Sequence, residues 1–100
     1  MRPEILRLSE IGPLPAESEA TVDHLREVES LLKAVAAPVS NDEARALVGL
    51  FGPDGCFGLA WTVLHLVESA PAWPLADCLA NLNNEWVRSL RDRAMRGGIL

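Results

Sequence analysis

Apolar residues recur along most of this chain at the spacing of one helix face. In residues 17–36, Val22, Leu25, Val28, Leu32 and Val35 follow at steps of three and four, the period of an amphipathic helix. Asp23, Arg26, Glu27, Ser30 and Lys33 fill the opposite face. Glu17 and Glu19 at the start and Lys33 near the end suit the helix dipole, and Glu29 and Lys33 form an i, i+4 pair. Pro38 stops the pattern.

A second helix is predicted over 40–51. Ser40 or Asn41 serves as its cap, and Asp42 and Glu43 occupy its first turn. With Ser40 as cap, Glu43 stands at the reciprocal position of a capping box. Ala44, Leu47, Val48 and Phe51 predict its buried face, and Gly52 and Pro53 its end.

The stretch "CFGLAWTVLHLVES", residues 56–69, is different. At 100° per residue, Cys56, Phe57, Leu59, Ala60, Val63, Leu64, Leu66 and Val67 spread over more than half the circumference. Such a helix is surrounded by others. A narrow strip remains: Gly58, Trp61, Thr62, His65, Glu68 and Ser69. "SAPAWP" ends this helix. Leu75, Cys78, Leu79 and Leu82 then line a short one that starts at Pro74. Asn83 or Asn84 caps a last helix over about 85–96, with Trp86, Val87, Leu90 and Ala94 inward, and Gly97 and Gly98 stop it. Residues 1–15 are poorly defined: Ile5, Leu6 and Leu8 are apolar, but "IGPLP" breaks the chain. They are expected to form an extended or single-turn segment.

The pattern predicts an all-α fold, a compact bundle of four to five short antiparallel helices in one domain over 1–100, with 56–69 central. Residues 40–69 look like one helical hairpin of the kind stacked in HEAT-type solenoids. No second copy follows at a fixed period, so membership of that family is not implied.

Composition agrees with a globular chain: of 100 residues, 49% are hydrophobic and 23% charged. Tyrosine is absent and threonine occurs only as Thr21 and Thr62, which speaks against a β-rich fold. The net charge of −5 disfavours nucleic acid and anionic membrane as partners. The N-terminus shows neither a signal-peptide core nor a membrane span, so the cytoplasm is the expected compartment.

Chemistry is sparse. Cys56 and Cys78 are too few for a disulfide framework, and with His24 and His65 they match no zinc spacing. No P-loop, G-x-G-x-x-G or G-x-S-x-G occurs. No catalytic residue, metal or cofactor is assigned. The candidate interaction surface is Gly58, Trp61, Thr62, His65, Glu68, Trp73, Arg88 and Arg91. Tryptophan favours binding hot spots, and Gly58 would let a partner approach closely. Trp73, in a loop, either plugs the core or projects, and the plug is the simpler expectation. Arg88, Arg91, Arg93 and Arg96 are four of the nine bases, whereas residues 1–50 hold nine acids and five bases. That asymmetry suits a protein partner or self-association as a homodimer. The expected function is therefore a small non-enzymatic protein acting by protein–protein interaction, such as an adaptor, inhibitor, immunity-like protein or accessory subunit. The alternative is a small ligand-binding protein or enzyme using Trp61, His65 as acid/base, and Glu68 to orient it.

Overall fold

The computed structural model describes residues 1–79 and 83–97. Its helices are α1 (Pro3–Ile11), α2 (Val22–Ala34), α3 (Asn41–Val48), α4 (Leu59–Glu68) and α5 (Glu85–Arg96), with 3₁₀ turns at Cys56–Gly58 and Ala76–Leu79. The fold is all-α, with no strand among the described residues. The radius of gyration, 12.9 Å, matches the ~13 Å of a compact chain of this length.

Residues 1–15 depart from the sequence reading. Pro3 sits in the first turn of α1, where its missing N–H is not needed. Ile5 and Leu8 are fully buried, while Leu6 stays exposed. Gly12, at φ 90°, ends the helix. Two buried residues one turn apart suffice to dock a helix, but they are too few to show as a period in the sequence.

The second helix is shorter than its charge pattern suggests. Thr21 caps it by accepting the His24 N–H, so Glu17 and Glu19 precede it. Val22 is 62% exposed, and Leu25 is half-buried. Val28, Leu32 and Val35 carry the contact with the core. The capping box on α3 forms as expected: Ser40 Oγ accepts the Glu43 N–H at 3.1 Å and Glu43 Oε1 accepts the Ser40 N–H at 2.9 Å. Among the described residues the short helix after Pro74 is a 3₁₀ turn, Ala76–Leu79, with Leu75 and Leu79 buried. The Cys78 side chain, Leu82 and Gly98 lie outside the described residues.

Contacts along the chain set the helix directions. Arg7 pairs with Glu27, and Arg2 reaches Ala36 and Pro38, so α1 and α2 are antiparallel. The Val39 N–H donates to Ser69 Oγ and the Ala72 N–H to Asn41 Oδ1. That clasps the start of α3 to the end of α4 and makes them antiparallel too. The last pair breaks the rule. Trp61 meets Trp86 near the starts of α4 and α5, and Glu68 meets Arg93 near their ends. The two helices run the same way.

Two close approaches set the front of α4. The Leu14 N–H donates to the Leu50 carbonyl at 2.9 Å. Any Cβ at position 52 would fall on the Leu14 carbonyl oxygen, so Gly52 is needed for space. Asn84 caps α5 through Trp86 and Val87 and donates its amide to the Phe51 carbonyl at 3.2 Å.

Candidate interaction surface

The surface begins at a turn the helical wheel misreads. Cys56 (φ 44°), Phe57 (φ 53°) and Gly58 (φ 88°) are successively left-handed. For each non-glycine this costs about 1–2 kcal/mol. Carboxylates hold the turn. Asp54 Oδ1 accepts the Cys56 N–H at 2.9 Å, and Asp54 Oδ2 accepts the Glu17 N–H at 3.0 Å. Glu17 Oε1 then accepts the Phe57 N–H at 2.9 Å. The Asp54 carbonyl takes the Trp86 indole N–H at 3.1 Å.

The turn fixes which side chain faces water. Cys56 is fully buried, and Phe57 is 63% exposed. The wheel placed Phe57 in the core because it assumes a right-handed helix at 100° per residue. Gly58 is exposed and caps the start of α4. Its role is its left-handed φ, which a side chain disfavours; the space around it is open. Burial pushes the Cys56 thiol up, and the nearby charges of Asp54 and then Glu17 push it further, so this cysteine is no thiolate nucleophile.

Trp61, in the first turn of α4, is 49% exposed. Its ring stands edge-on to buried Trp86, centroids 5.1 Å apart at 86°, and Trp86 in turn stacks on Phe51 at 6.1 Å. Trp86 therefore supports the surface from below. Thr62 and His65 continue the exposed side of α4, and the His65 ring lies 6.2 Å from Trp61.

Glu68 is committed elsewhere. Its oxygens accept both arms of Arg93, from Nε at 2.7 Å and Nη2 at 2.9 Å. This pairing pushes the Arg93 pKa up. His65 Nδ1 lies 3.6 Å from the same carboxylate, so the group that would orient His65 is already neutralised by a guanidinium. Trp73 follows the far end of α4 and packs half-buried against the core, away from the Phe57 end. Arg88 and Arg91 are exposed on α5 and, with Asp92 and Met95, border a groove of about 300 Å³. A smaller groove of about 150 Å³ between α4 and α5 is lined by Trp61, Ser89, Asp92, Arg93 and Arg96. Phe57, Ser89, Asp92 and Met95 join this surface without being candidates for it on sequence pattern. The glycines at 55 and 58 were the one available hint of the turn.

No protein-family model, curated protein or solved structure matches the chain. Its role must be argued from the surface itself. Among the described residues no cluster of His, Cys, Asp or Glu is arranged to hold a metal ion, and no helix is long and apolar enough to cross a membrane.

Proposed function

We propose that the protein is a non-enzymatic interaction module that binds another protein surface through the exposed flank of α4 and the adjoining face of α5. The observation that carries this reading is Phe57, 63% exposed on a left-handed turn. Backbone strain persists only where surrounding contacts enforce it, and it concentrates at functional positions. Here the strain has one visible outcome: an aromatic ring held in water at the start of the helix that carries half-exposed Trp61. Aromatic and arginine side chains dominate binding energy at interfaces; Arg93 and Arg96 line the groove beside Trp61, and Arg88 and Arg91 border the neighbouring groove on α5. An adaptor, an inhibitor or an accessory subunit would use such a face. The buried free thiol of Cys56 suits a reducing cytoplasm.

Catalysis fits the geometry less well. Glu68 is tied to Arg93, and the groove at Trp61 is about 150 Å³, against the ~300 Å³ and more of small-molecule sites.

The test is association. Trp61→Ala and Arg91→Glu should weaken binding to a copurifying partner or to a second copy, with little change in thermal stability. A strictly monomeric wild type that retains no partner would overturn the reading.

A further inference from the structure

The turn that presents Phe57 is held from a segment far away in sequence. Residues 12–21 join α1 to α2 as an irregular strap that contains Pro13 and Pro15. Two anchors fasten it to the stretch before α4. The first is deep: Leu14 is buried, and its N–H donates to the Leu50 carbonyl. The second is shallow. The Glu17 N–H donates to Asp54 Oδ2 and Glu17 Oε1 accepts the Phe57 N–H, while Glu17 itself is exposed. Water competes for exposed hydrogen bonds, so this anchor is the one that opens first.

The two left-handed side chains of the turn differ in support. Cys56 is buried, and its N–H donates to Asp54, two positions back in its own segment. Phe57 stands in water, and among the described residues the acceptor of its N–H is Glu17, 40 positions away. A non-glycine residue at φ 53° keeps that conformation only while contacts hold it. Cys56 is therefore fixed locally, whereas Phe57 depends on the strap.

We infer that the strap is a latch on the interaction face: docking of Glu17 and display of Phe57 are one two-state equilibrium. Closed, Glu17 fixes the left-handed turn, and the Phe57 ring stands in water at the start of α4. Open, Phe57 leaves that conformation and its ring leaves that place. Glu17 is thus a positioning residue. Linkage makes the device reciprocal. Whatever grips Phe57 in its displayed position closes the strap, and whatever pulls the strap away withdraws Phe57. The consequence for binding rests on the interaction reading above; the latch itself needs no partner.

The chain has two phenylalanines, so fluorine NMR of the whole chain grown with 4-fluorophenylalanine tests the latch directly. Phe51 is buried and stacked on Trp86, and reports the core. Phe57 reports the turn. Glu17→Ala should shift the Phe57 signal and leave that of Phe51 in place. Glu17→Gln keeps an oxygen that accepts the Phe57 N–H and should preserve the wild-type Phe57 signal. The reverse direction is read at the strap. Asparagine adopts a left-handed φ more readily than phenylalanine. Phe57→Asn should therefore slow hydrogen exchange at the Glu17 amide about threefold or more. A Phe57 signal unmoved by Glu17→Ala overturns the latch. So does one that moves together with the Phe51 signal, or that Glu17→Gln fails to preserve. An unchanged exchange rate at Glu17 in Phe57→Asn overturns it as well. The interaction reading fails on a different result, the absence of any associating partner, which none of these measurements involves.

Discussion

Glu43→Gln takes the charge from a carboxylate whose two oxygens serve different donors. Oε1 accepts the Ser40 N–H at 2.9 Å, and Oε2 accepts the Arg2 N–H at 3.1 Å, with Arg2 Nε 3.5 Å away. The side chain is only 5% exposed, so water cannot replace a lost partner. Glutamine keeps one accepting oxygen. Its NH₂ must face the other backbone N–H, donor against donor. Losing one charge-assisted hydrogen bond and leaving its donor unpaired costs about 2–4 kcal/mol. For a chain of this size that is roughly 10–25 °C in Tm.

Arg2→Ala is the companion variant. It keeps the backbone donor and loses guanidinium bonds to the Ala36 and Pro38 carbonyls at 2.6 and 2.8 Å. These are solvent-exposed, so the expected loss is smaller, about 1–2 kcal/mol. Acid supplies an independent check. The Ser40 N–H, then the Arg2 N–H, hold the Glu43 carboxyl below the usual glutamate range. A carboxyl with a depressed folded pKa stabilises fully above its unfolded value of about 4.3 and loses that contribution as pH falls through the folded value. Urea unfolding should therefore show a constant gap between wild type and Glu43→Gln from neutral pH down to about 5, narrowing below about 4.3. A variant within about 1 kcal/mol of wild type, less than one charge-assisted bond, or a gap indifferent to acid, would refute this account of Glu43.

Two glycines close to α4 should respond differently to alanine. Gly52→Ala drives a methyl into the Leu14 backbone and should cost about 2–4 kcal/mol through overpacking and loss of the Leu14–Leu50 hydrogen bond. Gly58→Ala meets open space and should cost only about 1 kcal/mol of left-handed strain, with Gly58→Asn milder. Thermal melts that reverse this order would show that the close approach at Gly52 is not what the fold requires. Native Cys56 should react slowly with a thiol reagent and rapidly once unfolded, because it is buried with a raised pKa. Mass mapping that finds equal rates in both states would contradict its burial.

Much of this protein was written in local pattern. Ser40 and Glu43 announced the start of α3, Asn83 or Asn84 that of α5, and the broad apolar arc of 56–69 the central helix, although α4 itself begins only at Leu59. Each is a short-range matter: a cap satisfies N–H groups within three residues, and periodicity reports one face. The strip of Trp61, Thr62 and His65 was legible for the same reason. Other features depend on residues far apart in sequence. Glu43 receives Arg2 from 41 positions away, and Glu17 holds Phe57 across 40. No local spacing encodes such meetings. Phe57 reads as core until the left-handed turn rotates it into water, and Glu68 reads as a partner for His65 until α5 delivers Arg93. The parallel run of α4 and α5, fixed by the Trp61–Trp86 and Glu68–Arg93 contacts, belongs to tertiary structure too. The sequence by itself determined which segments are helical and which faces are apolar. Packing decided which aromatic rings and which arginines share the exposed flank of α4 and α5.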